Sequence, residues 1–518
     1  MQFYKFLLLL LLTILIVTAL KLPENLNTIV NWFHPALNFG LSSHIMLISF
    51  LSAAFLIVLP ARNLSFSEML SFFAYTVSSL CAMLSKQMIS AIIFCELMAI
   101  SASFIIAAGS KDSGPAIRYA CVHFFVGTIL TAGSAIQSSN LIAIGLLINC
   151  ACFPFSFWVV DAYPAASLHG ASYLSLFTTK VSFLVAILHT NLWQDHAEIL
   201  ALLGTITAIY GIVFTSLEQN IRRFLAYNVV GQMGMLIITG SLLSRSENAA
   251  SLLAFNIVFS IAYQLLLTAV ANSTILRTKA VNFNRVGKFM SVEGMYALIA
   301  VLTMAAFPGT AGFISKSYTS VEIEASGTNL ALYKNLYKIL NLSLYLSVGL
   351  KFLYYIFIVE SKSKLLAEKG GGVAMIVLAF ACVIAGNPYL PIYNKSSIFN
   401  LAYTTKNIWS QFNLLLCATL LFIPLRKLFL PRINFKMDID WIFRAFIPYV
   451  VSISNKLILK TRKMSTGILQ NLTDSLADLY FSNATRLKEV LSYNSVSFIS
   501  ASSLFLMSIL LVLLCLSH

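Results

Sequence analysis

Residues 145–180 read GLLINCACFPFSFWVVDAYPAASLHGASYLSLFTTK. The apolar segment that opens this stretch meets Pro154 where it should still be crossing a membrane. Proline removes one backbone donor and crowds the carbonyl four residues back, so the helix must kink or break there. In lipid, broken backbone survives only where it is buried in protein or lines a wet cavity. The next apolar segment carries Lys180, and a broken helix beside a buried charge indicates an ion pathway.

The composition excludes a soluble globular protein. The 518 residues are 59% apolar and 10% charged, whereas soluble domains carry about 25% charged residues; the mean hydropathy is +0.85. Apolar stretches of about 17–25 residues, each able to cross a hydrocarbon core of about 30 Å, recur from end to end. We predict an all-α polytopic membrane protein of about 15 transmembrane helices, with spans at 5–20, 42–60, 67–85, 88–108, 117–137, 140–160, 171–190, 197–217, 224–243, 250–272, 290–310, 335–359, 372–392, 410–425 and 495–516.

The net charge of +15 lies in loops between apolar segments, which argues against nucleic acid as a partner. Lys and Arg are about twice as frequent in the loops on the side of the N-terminus, and this asymmetry predicts a cytoplasmic N-terminus. The eight cysteines lie mostly inside apolar segments, without Cys-x-x-Cys, haem-attachment or iron–sulfur spacing. We therefore expect no cofactor and no redox centre in this chain.

Three charged residues are the main candidates: Glu96 and Lys180 fall inside predicted spans, and Lys316 follows the interrupted span at 290–310. A charge at the bilayer centre costs about 2.5–3.5 kcal/mol, so each needs a partner or a purpose. Lys316 follows Pro308, which threatens its helix as Pro154 threatens the earlier one. Two interrupted segments, each near a lysine, predict an internal repeat of the kind found in transporters. We interpret the three charges as proton-path residues, with a static buried ion pair or a misplaced span end as the alternatives.

Four further residues are weaker candidates. Lys351 is near enough to the end of its segment for its ammonium group to snorkel to the interface, and Glu293 lies near the start of its span. His123 and His189 are single histidines on apolar faces, a placement more typical of packing or hydrogen bonding than of ligand binding. No group of His, Asp and Glu has metal-ligand spacing, so we expect no metal site.

Four stretches resemble antiporter-like membrane subunits, which occur in respiratory complex I and in Mrp-type multisubunit cation/proton antiporters. FPFSFWVVDAYPAA followed by TTKV resembles the pattern FPLHxWLPDAxPxAP and xxKVGxY. NIRRFLAYNVVGQMGML (220–236) resembles DIKRLLAYSSIxQxGY, and AFPGTAGFISK (306–316) resembles GxPPLxGFxSK. IIFCELMAISASFIIAAG (92–109) is similar to the glutamate helix of the family. Together these stretches cover about residues 40–360, in the order and spacing of the family.

The resemblance implies a 14-helix core of two inverted five-helix units, each a half-channel, joined by a central polar axis. By resemblance, Glu96 is the charge-pair glutamate, Lys180 is a lysine of the central relay and Lys316 is the lysine of the second broken helix. In complex I, quinone and NADH are handled by other subunits.

Two positions depart from the family pattern. The family's lysine four residues before the Phe-Pro break is Asn149 here, and the lysine of the HxLxHAxFKALLF helix falls on Gln264. Asn and Gln side chains can orient a water molecule but cannot exchange a proton at physiological pH. The relay therefore has two neutral stations.

On this basis we divide the chain into six segments and expect a multi-pass protein of a bacterial plasma (inner) membrane. Residues 433–494 are basic at first and then show apolar residues at helical spacing, which predicts an amphipathic helix on the membrane or on a neighbouring subunit, with a solvated linker as the alternative. The segments are 1–85 (N-terminal helices), 86–243 (first half-channel repeat), 244–392 (second half-channel repeat), 393–432 (an additional transmembrane helix), 433–494 (lateral segment) and 495–518 (C-terminal transmembrane helix).

The leading functional hypothesis is a proton- or cation/proton-translocating subunit of a Mrp-type antiporter or of a complex I-like NADH:quinone oxidoreductase, more similar to a Mrp D subunit. Its expected partners are other membrane subunits and the lipid bilayer. The alternative is a transport-inactive structural subunit of such an assembly, with 433–494 as its docking arm. An enzyme acting on lipid is disfavoured because no nucleophile–base pair stands out.

Overall fold

The computed structural model describes residues 2–21, 41–61, 64–110, 112–190, 196–243, 249–283, 291–325, 328–359, 372–390, 393 and 402–429. The regular elements in these ranges are helices, joined at one point by an isolated bridge between Asn220 and Asn282. The predicted segments 433–494 and 495–518 lie outside the described residues. The helices are α1 (Gln2–Lys21), α2 (Leu41–Val58), α3 (Phe66–Leu84), α4 (Met88–Gly109), α5 (Gly114–Ala135), α6 (Ser139–Asn149), α7 (Phe157–Ala162), α8 (Leu168–His189), α9 (Ala197–Leu217), α10 (Ile221–Gly240), α11 (Ala249–Thr278), α12 (Ser291–Met304), α13 (Ala311–Ala325), α14 (Thr328–Leu344), α15 (Gly372–Ile384) and α16 (Thr405–Leu425).

Within these ranges, nine helices are long and apolar enough to cross a membrane, and four shorter apolar helices accompany them. One of the nine extends α14 to Ile358 through two π-helical turns, which flank Lys351. The chain is thus an all-helical, multi-pass membrane protein, as its hydropathy predicts. The total of about 15 spans and the inverted relation of the two halves stay predictions.

Both predicted helix breaks are present, and they share one local structure. The helix α6 ends at Asn149 and α12 ends at Met304; in each case the second residue beyond the end is an alanine with positive φ, Ala151 at 58° and Ala306 at 60°. At the first break, the N–H of Cys152 donates to the carbonyl five residues back. Phe307 does the same at the second break, so both ends are Schellman caps. The prolines follow each cap within three residues, and the Phe153–Pro154 bond is cis.

Contacts between helix ends define two faces of the helical bundle. At the N-terminal face, the ring of Tyr4 lies 5.6 Å from that of Phe66, and Arg118 makes a bidentate pair with Asp161 at 2.7 and 2.9 Å. The ring of Tyr173, near the start of α8, stacks on that of Phe72, near the start of α3. The starts of α1, α3, α5 and α8 therefore lie at this face, and α10 begins there too, because Arg222 donates to the carbonyls that precede α8. At the opposite face, a ring nitrogen of His189 lies 3.1 Å from the carbonyl oxygen of Ser85.

Replacing Ala151 by glycine should stabilise the protein by about 1 kcal/mol, because an L-residue in left-handed conformation has a Cβ conflict that glycine lacks. The same change at Ala143, inside α6, should destabilise it by about 0.5–1 kcal/mol, since glycine loses more conformational entropy in a helix. Thermal unfolding of the purified full-length chain in detergent checks both variants. An A151G protein that unfolds at a lower temperature than A143G would contradict the described cap.

Candidate functional site

Lys180 is the buried cation of α8. Its side chain is 1% exposed, and its Nζ donates to the carbonyl oxygen of Ser175 at 2.8 Å and to Oε1 of Gln264, on α11, at 3.0 Å. Among the described residues, no carboxylate lies within salt-bridge distance of it. The ammonium group is therefore held by neutral oxygen atoms, one of which belongs to the Gln264 side chain.

Lys316 is the buried cation of the second break. Its side chain is 5% exposed, and its Nζ donates to the carbonyl oxygen of Met304, the last residue of α12, and to Oδ1 of Asn341 at 2.8 Å. The amide of Asn341 in turn donates to the carbonyl of Ala305 at 3.2 Å. A helix end leaves carbonyls without intrahelical partners. The break thus supplies the oxygen that the ammonium group needs.

The helix α11 connects the two lysines. Its Tyr263 lies under Lys316, with Nζ 5.5 Å from the ring centroid, and the next residue, Gln264, binds Lys180. The hydroxyl of Tyr263 donates to Oε1 of Gln232 on α10 at 2.8 Å. Two lysines from different halves of the sequence therefore contact adjacent residues of one helix.

Two cavities approach the lysines from opposite faces of the bundle. The first lies toward the N-terminal face, and it includes Ser175, whose carbonyl accepts from Lys180. The second reaches Lys316 itself and lies toward the opposite face, where Tyr333 near the start of α14 interacts with Glu198 near the start of α9. The first cavity is lined by Tyr163, Ser172, Ser175, Arg222, Thr268 and Asn272, among others, and the second by Lys316, Ser320, Tyr337, Asn341, Asn407 and Gln411, among others.

Glu96 is half-buried on α4 and packs against α5. A Cβ added at Gly127 would collide with the Glu96 carboxylate, so the absence of a side chain at Gly127 makes room for it. Within the described ranges, Glu96 has no salt bridge. The structure therefore leaves Glu96 at a separate position on the α4–α5 interface, while it brings Lys180 and Lys316 to one helix.

The first break holds Asn149 and Pro154. Asn149 ends α6, is 4% exposed and interacts with the side chain of His123 on α5. The backbone beyond the break is fixed by Trp158, whose Nε1 donates to the carbonyl of Ile148 at 3.1 Å. Pro308 lies in the corresponding turn of the second break, between α12 and α13.

The remaining weak candidates have structural partners. Glu293 forms an ion pair with Arg277 near the N-terminal face, and His189 contacts the Ser85 carbonyl at the opposite face. Lys351 is fully buried, and its Nζ donates to three carbonyls at the end of α9. These belong to Thr215 at 3.0 Å, Ser216 at 2.8 Å and Glu218 at 2.7 Å.

Lys351 therefore caps the end of α9. A cation at this position also complements the negative end of the helix dipole. The rings of Phe224 and Phe283 flank its ammonium group, with centroids 5.5 and 5.3 Å away.

Sequence reasoning named Gln264 but missed Asn341, the side chain that accepts from Lys316. Asn341 is one asparagine in the leucine-rich stretch KNLYKILNLSLYL, and its position inside a predicted span is the only signal it gives. A hydroxyl network also surrounds Thr178 on α8, which contacts the hydroxyls of Tyr75 and, at 3.2 Å, Tyr119. Within the described part of the chain, no group of three or more His, Cys, Asp and Glu side chains could hold a metal ion.

These features define a class of protein: a multi-pass membrane protein with two interrupted helices and two buried lysines near one central helix. Residues 128–334 match the family model described as NADH:quinone oxidoreductase/Mrp antiporter, TM. The NADH-quinone oxidoreductase subunit N of Salinispora arenicola is 28% identical over 229 residues, which are 40% of this chain and 42% of that protein. The subunit N of Cutibacterium acnes is 24% identical over 323 residues, 55% of this chain and 59% of that protein. The chain thus spans about half the length of these curated relatives.

Solved structures show the same fold. A chain of respiratory complex I from Thermus thermophilus superposes with a TM-score of 0.62 at 16% identity, covering 77% of this chain and 93% of that chain. A chain of the Mrp complex from Dietzia sp. DQ12-45-1b gives 0.61 at 12% identity, covering 83% and 91%. The three comparisons confirm the resemblance to the antiporter-like membrane subunits of complex I and Mrp-type antiporters.

Lys351→Met should destabilise the protein by about 1–3 kcal/mol, because it leaves buried carbonyls at the end of α9 without a donor. Thermal unfolding in detergent measures this, with Lys334→Met as the matched control, since Lys334 pairs with the exposed Glu324 and should change little. If K351M unfolds like the wild type and yet abolishes ion transport, Lys351 is a path residue instead.

Proposed function

We propose that this chain is the proton-translocating, or cation/proton-translocating, membrane subunit of a hetero-oligomeric assembly. One observation carries the proposal: Lys180 and Lys316 are buried on neutral partners and contact adjacent residues of α11, and a cavity from one side reaches Ser175 beside Lys180 while a cavity from the other side reaches Lys316. An ionisable residue inside a membrane is costly and normally functional.

The proposed route enters by the cavity at the N-terminal face and reaches Lys180 beside Ser175. It passes Gln264 and Tyr263 on α11 and continues to Lys316. It leaves by the cavity at the opposite face. Because Gln264 cannot carry a proton itself, water bridges this step beside Tyr263 on α11 and Gln232 on α10.

The chemistry needs lysines that both hold and release a proton. An ammonium group on carbonyl and amide oxygens can release its proton without leaving an unpaired carboxylate behind. Water entering a cavity can then take or supply the proton at each end. Glu96, on the α4–α5 interface, acts electrostatically when it is ionised: a negative charge nearby favours the protonated form of a base.

The names of the similar proteins indicate the kind of assembly to which this chain could belong. Those relatives are NADH-quinone oxidoreductase subunits N, and the structural neighbours are chains of complex I and of a Mrp complex. We assign this chain to a Mrp-type antiporter or complex I-like assembly of a bacterial inner membrane, with other membrane subunits as partners and a cytoplasmic N-terminus. Its two halves, 86–243 and 244–392, are the inverted half-channel units.

A transport-inactive structural subunit is the second candidate, and one contact favours it. The amide of Gln264 binds Lys180 directly, at the position where the family pattern has a lysine. A lysine tied to a neutral amide can serve as a buried structural contact. This subunit would then hold its neighbours in the assembly without moving ions.

We expect Glu96→Gln, Lys180→Met and Lys316→Met each to reduce transport by about ten-fold or more, because each removes a charge or a proton-carrying group. Everted membrane vesicles containing the chain with its native neighbouring subunits provide the assay, which follows the ΔpH change induced by Na⁺ or by the driving reaction. The control is Lys334→Met, a peripheral lysine, together with a check that each variant still assembles.

Equal transport by the assembled wild type and all three variants rules out the proposed path. In that case Asn149→Lys combined with Gln264→Lys tests the structural alternative. New transport by this double variant identifies the wild type as a channel that lacks proton-carrying residues at positions 149 and 264.

A further inference from the structure

The interface between Glu96 and the first break contains one imidazole. Tyr119, His123 and Gly127 are spaced four residues apart and share one face of α5. The Glu96 carboxylate packs at Gly127 and is close enough to Tyr119 for an electrostatic interaction. His123 lies midway between these two contacts on the same face, so Glu96 and His123 occupy the same stretch of the α4–α5 interface.

His123 has aromatic neighbours, and its Nε2 lacks a hydrogen-bond partner within the described residues. Its ring centroid lies 4.1 Å from that of Tyr119 and 4.7 Å from that of Trp158. It also lies beside Asn149. Within the described residues, however, neither Nε2 of His123 nor Oδ1 of Asn149 has a hydrogen-bond partner. Packing explains the ring contacts, whereas two buried polar atoms left unpaired side by side are rare in native proteins.

A chain of hydroxyl groups leads from this histidine to α8, the helix that carries Lys180. Tyr119, in ring contact with His123, has its hydroxyl 3.2 Å from Oγ1 of Thr178. Thr178 precedes Lys180 by two residues on α8, and its neighbour Thr179 has a buried hydroxyl without a partner in the described part of the chain. Tyrosine and threonine hydroxyls both donate and accept hydrogen bonds, so they can pass a proton between groups that titrate.

We propose that His123 is the proton-carrying residue of the first half of this chain, at the place where Asn149 provides none. The proposal rests on the proposed function. The carboxylic acid of Glu96 gives its proton to Nε2 of His123, which leaves a carboxylate and an imidazolium. The imidazolium then gives up a proton, through the Tyr119 and Thr178 hydroxyls and water beside them, to the neutral amine of Lys180. No bond other than those to the moving proton changes, and no other reactant is consumed.

The test compares variants at two adjacent positions in everted vesicles of the native assembly. His123→Gln keeps polarity but cannot carry a proton, and it should reduce transport at least about ten-fold while assembly persists. Adding Asn149→Lys to this variant should restore a large part of the rate. Adding Asn149→Met, which has similar length without a charge, should not. His123→Phe keeps the ring contacts and replaces H123Q if that variant fails to assemble.

The outcomes separate this proposal from the proposed function. Transport that requires Lys316 but is unchanged in H123Q or H123F overturns the role of His123 alone. Loss in H123Q that N149M repairs as well as N149K overturns it too, because the defect is then one of packing. An assembled wild type without transport, unaffected by Lys316→Met, contradicts the proposed function and this proposal together.

Discussion

The structure depends on how three buried ammonium groups obtain oxygen partners from the protein itself. In the bilayer core each unsatisfied polar group costs several kcal/mol, so backbone carbonyls are normally consumed by helical hydrogen bonds. Helix ends release some of them. Lys316 binds the last carbonyl of α12 at the second break, and Lys351 binds three carbonyls at the end of α9. Lys180 binds one carbonyl within its own helix and the amide of Gln264.

Lys351 and Lys316 both bind oxygen atoms inside the protein, but their surroundings differ. Lys351 is enclosed by two aromatic rings and three carbonyls, an arrangement suited to holding a helix end in place. Lys316 has two oxygen partners, one of them a side-chain amide, and lines a polar cavity. Partners that can rotate and a path for water are what a transported proton needs. The lysines are similarly buried, but their surroundings suit Lys351 to a structural role and Lys316 to the proposed transport.

Hydropathy predicted the long helices well, because a span must be apolar over its whole length whatever its neighbours are. The prolines at 154 and 308 predicted the positions of both helix breaks. Hydropathy did not predict α13, since the span expected at 290–310 ends at Met304 and a second helix begins at Ala311. Alanines at positive φ gave no warning of the caps, because any prediction from sequence favours glycine there.

The partners of the candidate site were harder to predict than its charges. A lysine in an apolar segment is conspicuous in the sequence, whereas its acceptors come from distant helices and, in part, from the backbone. Asn341 is 25 residues from Lys316, and Gln264 is 84 residues from Lys180. The capping role of Lys351 depends on carbonyls that are 133–136 residues away. The resemblance to a family identified Gln264 as a departure, but only the fold shows that it binds Lys180.

The access of the two lysines from opposite faces is the central claim, and thiol labelling of sealed vesicles tests it most directly. Leu225 lines the cavity at the N-terminal face, and Ser410 lines the cavity at the opposite face. Each is replaced by cysteine in a separate variant, L225C and S410C. In each variant the exposed Cys417 is replaced by serine, and the parent chain controls for the other native cysteines. A membrane-impermeant thiol reagent should label L225C from one side of the membrane only and S410C from the other side only. Labelling of both positions from the same side would contradict the account.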